Sequence, residues 1–156
     1  QRLMTLLHVK TGVYNVETRL CTNGKPYIME LSPRGGGNRL SEMLRYITHT
    51  DLIDNAVLNA VGEKIEEIQQ PCYDGCLAEI ILHSDKSGIF RKLIIDKEFE
   101  KQFVIEKDLW VENGDKVEGF TGANKAIGTL ALHFSSHQEL EENVQYYKNK
   151  ITIIVD

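Results

Sequence analysis

The sequence lacks an excess of positive charge and has no long apolar run. Its 18 Lys and Arg residues are outnumbered by 23 Asp and Glu residues, which gives a formal charge of −5. Because nucleic-acid binders usually carry a basic balance, this composition argues against a nucleic-acid partner. The apolar runs last only a few residues, far below the ~20 that cross a bilayer, so no membrane association is expected.

Cysteine is scarce and odd in number. The three residues are Cys21, Cys72 and Cys76, and an odd count without a secretory signal pattern argues against a disulfide framework. The expected location is therefore the reducing cytoplasm. Cys72 and Cys76, followed by His83, have a spacing that some zinc sites use, but no second ligand pair accompanies them, so ordinary thiols are the favoured interpretation.

The chain is long enough for one domain or two small lobes, and its patterning favours two. Residues 63–74 are polar and rich in turn-forming residues, so we expect lobes at 1–70 and 71–156. Near the start, three leucines lie at helical spacing with no capping residue before them. This beginning predicts that the chain is a carboxy-terminal piece of something longer.

A β-hairpin is the most strongly predicted element of the first lobe. Strands are expected at residues 13–22 and 26–32, and Asn23-Gly24 between them is typical of a two-residue hairpin loop. With that loop, the numbers of directly opposed residues sum to 47, so Glu17 faces Glu30. The same register predicts the pairs Cys21–Pro26, Arg19–Ile28 and Asn15–Ser32.

The hairpin is expected to have one core face, which includes Val16 and Leu20, and one polar face. Glu17 and Glu30 would lie close together on the polar face, and like charges directly opposite each other destabilise a sheet unless a cation relieves them. Oxygen ligands suit Mg²⁺, which one or two carboxylates commonly hold together with substrate phosphates. The alternative is a pair of exposed glutamates whose charge is relieved by Arg19 and solvent.

The segment after the hairpin is typical of an anion site. Gly35, Gly36 and Gly37 lead to Asn38, a predicted N-cap of the helix that follows. Free N–H groups and the helix dipole favour an anion there, and glycines allow the backbone to approach it closely. Arg34 adds a planar fork for a phosphate or carboxylate. Together with the paired carboxylates, these residues indicate phosphoryl chemistry on a metal-bound nucleotide.

The second lobe is predicted to be a small, mostly antiparallel sheet with one helix. Ser136 and Glu139 form a capping box that opens a helix expected to end near Asn149. The predicted strands are residues 77–83, 89–95, 103–111, 117–121, 127–134 and 151–155. The first lobe adds helices that begin near residues 40 and 52, the second of them stopped by Gly62. The fold class is therefore α+β.

These motifs resemble the carboxy-terminal part of an ATP-grasp ligase. The resemblance implies the C-terminal half of an ATP-grasp domain followed by a small β lobe. It also implies that Glu17 and Glu30 hold Mg²⁺ or Mn²⁺ against the phosphates of ATP, with Ser32 where the family usually has Asn. Arg34 corresponds to the residue that contacts the substrate carboxylate or its acyl phosphate. The matching segments are residues 12–17, 23–37, 50–52 and the helix before Gly62.

The activity implied by the resemblance is that of a carboxylate–amine ligase, which forms an acyl phosphate and then an amide and releases ADP and phosphate. Its partners would be ATP, a small carboxylate and an amine such as an amino acid or peptide, and a homodimer is compatible with it. The phosphate-binding lysines and glycine-rich lid of the family are not in this sequence, so the chain alone is not expected to turn over. The alternative is a non-catalytic interaction module with an acidic surface hairpin.

Residues 111–117 also resemble the turn-rich strands of biotinyl or lipoyl carriers. Those carriers present a lysine at a hairpin tip between small or Met residues, and this segment has no such lysine. The carrier interpretation is therefore disfavoured.

Overall fold

The computed structural model describes residues 2–10, 12–65 and 72–156. The chain divides into two units, Gln1–Cys72 and Tyr73–Asp156. Much of the polar segment predicted to join the lobes, residues 66–71, lies outside the described residues, and the boundary at residue 70 stays a prediction. Among the helices that the structure describes, none has both the length and the apolar character needed to cross a bilayer.

The first unit pairs a two-stranded antiparallel sheet with short helices. The helix α3 begins at Asp51, whose carboxylate accepts hydrogen bonds from the N–H groups of Ile53 and Asp54, both at 2.9 Å. The bond from Asp54, supported by Arg45, holds the pKa of the Asp51 carboxyl below its ordinary value. The elements are α1 Arg2–Leu6, β1 Asn15–Leu20, β2 Pro26–Ser32, α2 Leu40–Thr48 and α3 Leu52–Ala60.

The end of α3 confirms the predicted stop. Gly62 adopts a left-handed backbone with φ 80°. Its N–H donates to the Asn59 carbonyl, and the N–H of Glu63 donates to the Leu58 carbonyl. These two bonds make a Schellman motif, which favours glycine at this position because glycine has no Cβ to strain.

The start of α2 differs from the prediction. Asn38 and Arg39 both have left-handed backbones, with φ of 52° and 56°, and Arg39 precedes the helix without a side-chain cap. The prediction that Asn38 is the N-cap is therefore wrong, because an N-cap residue has an extended backbone and lies directly before the helix. Instead, two successive left-handed residues turn the chain into α2, a conformation that costs energy in residues other than glycine.

The second unit consists, in its described residues, of two three-stranded antiparallel sheets and two helices. The strand orders are β3-β7-β5 and β6-β4-β8. The central strand β7 is buried along almost its whole length, and its Leu130 and Leu132 are fully buried with Leu82 and Phe134. The elements are β3 Cys76–Leu82, β4 Gly88–Ile95, α4 Lys97–Phe103, β5 Val104–Leu109, β6 Lys116–Val117, β7 Gly128–Phe134, α5 His137–Val144 and β8 Ile151–Val155.

The helix α4 was not predicted. Asp96 caps it by accepting a hydrogen bond from the Phe99 N–H at 3.0 Å, a bond that lowers the pKa of the Asp96 carboxyl. Phe99 and Phe103, four residues apart, are both buried. That spacing is helical, so the sequence carried the signal, but the predicted strand from residue 103 obscured it.

Two further elements are shorter than expected. The strand predicted at 117–121 is limited to Lys116–Val117. The last helix begins at Ser136, which accepts from the Glu139 N–H at 3.2 Å as the capping box predicts, but it ends at Val144 and a 3₁₀ turn, Tyr147–Asn149, follows. The α+β fold class and its mostly antiparallel sheets are confirmed.

Candidate metal and nucleotide site

The hairpin loop has three residues and not the two predicted. The Cys21 N–H donates to the Lys25 carbonyl at 3.1 Å, and the Gly24 N–H donates to the Cys21 carbonyl at 2.9 Å. Gly24 is left-handed, with φ 72°. A turn followed by one left-handed residue is the usual way to close a three-residue hairpin loop. Gly24 is that left-handed residue.

An extra residue on β2, Met29, shifts the register of the two strands so that Glu17 and Glu30 are paired as predicted. Between the loop and this point Thr18 faces Ile28, which is one residue out of the predicted register. The register shifts beside Glu17, so Met29 is an extra residue on β2, and beyond it Glu17 faces Glu30 as predicted. Asn15 also faces Ser32 as predicted, but the pairs Cys21–Pro26 and Arg19–Ile28 are wrong, since Leu20 faces Pro26 and Arg19 faces Tyr27.

The two opposed glutamates face each other, and no described residue supplies a cation between them. Both side chains are exposed. The Ser32 hydroxyl donates a 2.5 Å hydrogen bond to Glu30 Oε1. Within the described part of the chain, Glu17 has no hydrogen-bond or ion-pair partner, and Arg19 makes no ion pair with either glutamate. The strand pairing therefore places two like charges on opposed residues that have no ion-pair partner among the described residues.

The apolar side of the hairpin is exposed and is not the core face predicted. Val16 is 41% exposed, Met29 61% and Leu20 72%. The described residues of the first unit do not bury these side chains. Strand alternation predicts which residues of β1 share a face, but it carries no information on what covers that face.

The three glycines differ in whether a side chain would fit at their positions, and none of them has an unusual backbone conformation. None of Gly35, Gly36 and Gly37 has a positive φ. A Cβ on Gly35 would overlap the Ser41 hydroxyl, and a Cβ on Gly36 would overlap the Leu40 side chain, whereas one on Gly37 would meet nothing within 4 Å. The first two glycines therefore lie where the loop packs closely against side chains at the start of α2, and a Cβ there would displace those side chains.

This difference gives a matched pair of variants. We expect Gly36→Ala to lower the free energy of unfolding by about 1–2 kcal/mol, because the new methyl group displaces Leu40. Gly37→Ala should change it by less than about 0.5 kcal/mol, since its Cβ enters open space. Urea unfolding followed by far-ultraviolet circular dichroism would measure both. Equal effects of the two substitutions would contradict the packing role.

Arg34 lies at the edge of a cavity. Its Nη1 donates to the Gly35 carbonyl at 2.9 Å, which leaves its other N–H groups without a partner among the described residues. The cavity has a volume of about 670 Å³ and lies between the open end of the hairpin and α3. Asn55 and Asn59, one helical turn apart, line it. The site predicted from the sequence does not include α3, although two amide side chains one helical turn apart are a usable signal.

The zinc interpretation receives no support. Among the residues described, no group of three or more His, Cys, Asp or Glu side chains is placed to hold a metal ion, and Cys21, Cys72 and Cys76 are free thiols. The His83 ring stacks on Phe120, with centroids 4.2 Å apart. The pair Glu17 and Glu30 consists of two carboxylates only, so it is not a group of this size.

Comparison with solved structures identifies the fold. The chain resembles the L-amino acid ligase of Bacillus licheniformis over 98% of its length, with a TM-score of 0.77 and 21% identity. It resembles phosphoribosylglycinamide synthetase of Anaerococcus prevotii over 98%, with a TM-score of 0.74 and 20% identity. No protein-family model matches the chain, and no curated protein matches it. Similarity at this level of identity concerns the fold.

A third similar structure was solved with ligands. The biotin carboxylase domain of the Hydrogenobacter thermophilus 2-oxoglutarate carboxylase, a dimer in complex with MgADP, ADP and bicarbonate, matches 91% of the chain with a TM-score of 0.68 and 14% identity. The fold is that of the ATP-grasp ligases, which confirms the predicted resemblance. The chain spans 38% of the amino acid ligase, 39% of the synthetase and 32% of the carboxylase domain.

Proposed function

We propose that this chain carries the metal-binding and phosphate-binding part of an ATP-dependent carboxylate–amine ligase. The observation that carries the proposal is the facing pair Glu17 and Glu30, both exposed and with no cation supplied by the described chain. Two carboxylates placed in this way are unfavourable unless a divalent ion joins them. The ATP-grasp fold supports nucleotide chemistry on such an ion.

The donor set fits Mg²⁺ or Mn²⁺. Glu17 and Glu30 offer only oxygen ligands, which hard divalent cations prefer. Ser32 contributes a third oxygen, because a hydroxyl that donates one hydrogen bond keeps its lone pairs. Its bond to Glu30 also fixes the orientation of that carboxylate. When bound, the metal would neutralise charge on the phosphates of ATP.

We assign the phosphate contacts to the loop that follows β2. Arg34 presents a planar set of donors that matches an anionic phosphoryl oxygen, and among the described residues only Gly35 accepts from one of them. The N–H groups of Gly35, Gly36 and Gly37, with that of Asn38, lie just before α2, where the helix dipole favours negative charge. These residues would stabilise charge that develops on the transferred group.

The reaction proposed has two balanced steps. A carboxylate oxygen of the acid attacks the γ-phosphorus of ATP, the bond from that phosphorus to the bridging oxygen breaks, and ADP leaves with the electron pair. The amine nitrogen then attacks the acyl carbon, phosphate leaves, and the nitrogen loses a proton to give the amide. No general base is assigned, because positioning and electrostatic stabilisation can carry such chemistry. The cavity beside Arg34 offers room for the acid.

We also propose a cytoplasmic location. The free thiols of the three cysteines support it, because thiols persist in a reducing compartment.

Trapping of the acyl phosphate tests this proposal. The protein at its natural full length is incubated with ATP, Mg²⁺, single amino acids and hydroxylamine. Hydroxylamine intercepts an acyl phosphate as a hydroxamate, so we expect hydroxamate and ADP in equal amounts, and chelation of the metal with EDTA should abolish both. ADP release without hydroxamate, or product formed equally well in EDTA, would contradict the ligase mechanism.

One observation favours the second candidate, a non-catalytic interaction module. The apolar side chains of the hairpin are exposed, as Leu20 and Met29 show, and exposed apolar patches often mark contact with another protein. A module would bind nucleotide no better with Mg²⁺ than without it. Titration of nucleotide in the presence and absence of Mg²⁺ therefore separates the two functions.

A further inference from the structure

A second cavity lies in the unit Tyr73–Asp156 and has no role in the proposed ligase site. It lies beside β3 and β8, which are both edge strands of their sheets within the described part of the chain. Its volume is about 430 Å³, which is in the range of small-molecule sites. The cavity is therefore large enough for a ligand of its own.

The wall of this cavity is apolar. Ile80 and Leu82 of β3, which are 8% and 2% exposed, belong to the hydrophobic core, and Ile151 and Ile153 of β8 pack against that core. Ile81 also lines the cavity. Consecutive residues of a strand point to opposite faces of the sheet. Because the cavity is lined by three consecutive residues, Ile80, Ile81 and Leu82, it lies along the edge of β3 and not on one face.

The polar side chains that line the cavity include two lysines, a tyrosine and one carboxylate. Lys86 and Lys148 are exposed, and neither makes an ion pair with a described residue. Tyr147 is half-buried against the core, and no described residue accepts a hydrogen bond from its hydroxyl. The carboxylate of Asp85 also lines the cavity; it is fully exposed and lies 3.8 Å from Nε2 of the His83 ring. The cavity thus has two lysines without an ion-pair partner among the described residues against one solvent-exposed carboxylate, in a chain whose formal charge is −5.

We propose that this cavity binds a small organic monocarboxylate with a branched or aromatic apolar body. The apolar wall would bury the body of the ligand, and Lys86 and Lys148 would attract its carboxylate, with the Tyr147 hydroxyl as a further donor. Apolar pockets with a few convergent polar groups are the usual form of small-ligand sites. The inference stands independently of the ligase, since its residues lie in the other unit.

A peptide strand added to the edge of β3 fits the observations less well. Strand addition depends on free main-chain groups, and the Ile81 carbonyl already lies 3.0 Å from the His83 ring nitrogen Nδ1. An added strand also gives no reason for two unpaired lysines at the cavity. We therefore assign a small anion and leave edge pairing as an outcome that the experiment can detect.

Nuclear magnetic resonance of the whole 156-residue chain tests the assignment, with 3-phenylpropionate as the probe and 3-phenylpropanamide as its neutral control. We expect saturable amide shifts confined to residues 80–86 and 147–153, with the acid binding on the order of fivefold to tenfold more tightly than the amide. The double variant Lys86→Gln/Lys148→Gln should lose about that same factor in affinity for the acid and should bind the amide unchanged.

The matched control is Lys97→Gln/Lys101→Gln, which removes two exposed lysines of α4 that do not line the cavity. It should leave both ligands unaffected. Because all four lysines are exposed, the variants should keep the wild-type spectrum, which the same experiment verifies. The proposal is overturned by equal binding of acid and amide, by unchanged binding in the first double variant, or by the absence of saturable shifts. Shifts at β3 that depend on protein concentration without probe would also overturn it and indicate edge pairing between two copies.

Discussion

Glu30→Gln is expected to weaken Mg²⁺-dependent nucleotide binding by about 100-fold or more. The substitution keeps the shape of the side chain but removes one of two anionic ligands, and even outer contacts of metal sites commonly contribute 10-fold to 100-fold in affinity. It also replaces the carboxylate that accepts from Ser32. Isothermal titration of nucleotide with Mg²⁺ or Mn²⁺, on the protein at its natural full length, would measure the loss.

Glu63→Gln is the matched control for this experiment. It removes an exposed carboxylate from the same unit, away from the hairpin, and should leave the titration unchanged. Glu17→Gln should act like Glu30→Gln if both carboxylates share the ion. A wild-type titration curve for Glu30→Gln would exclude the metal role of the pair and favour the interaction module.

Arg34→Ala is expected to reduce kcat by about 10²–10³-fold and to change KM for ATP little. The reason is that a donor aimed at charge that develops during the reaction acts mainly on the transition state. Arg34→Lys keeps the charge but loses the planar fork, so its kcat should lie between those of the wild type and the alanine variant. Steady-state release of ADP, measured against ATP concentration, separates kcat from KM.

Arg2→Ala serves as the control for Arg34, because Arg2 is an exposed arginine of α1 in the same unit. It should leave both kinetic constants unchanged. If Arg34→Ala raised KM for ATP and left kcat intact, Arg34 would contribute to ground-state binding only. The assignment to the transferred group would then be wrong, although the metal site would be unaffected.

The hairpin shows what a sequence can and cannot predict. The predicted pairing of Glu17 with Glu30 is confirmed, but only because the extra residue at Met29 compensates for a loop that is one residue longer than predicted. The loop length was wrong because Asn-Gly fits both a two-residue loop and the end of a three-residue loop. The extra residue at Met29 has no sequence signature, since a bulge depends on how the two strands twist together.

The glycine loop and the site around it show a second limit. The residue types predict an anion site, which stays a prediction, and no local rule indicates that Asn38 and Arg39 adopt left-handed backbones while the glycines before them do not. That distribution depends on the space left by Leu40 and Ser41. Side-chain packing therefore determines which residues of the loop are left-handed, and the order of residue types in the sequence does not reveal that packing.

The second unit was easier to predict where its core is continuous. Strand β7 was located within one residue because nearly every position in it is buried and apolar. Helix α4 was missed, since Phe99 and Phe103 fit both a helical repeat and the start of a strand. Short helices next to a strand boundary are therefore the elements of this chain that are hardest to predict from its sequence.

The extra residue at Met29 also has a consequence for tolerance to change. Because the irregularity lies between the tip of the hairpin and the acidic pair, it absorbs a mismatch of one position before that mismatch arrives at Glu17 and Glu30. The pairing of the two carboxylates is therefore not fixed by the length of the loop alone, since the ladder accommodates an extra residue between the tip and the acidic pair.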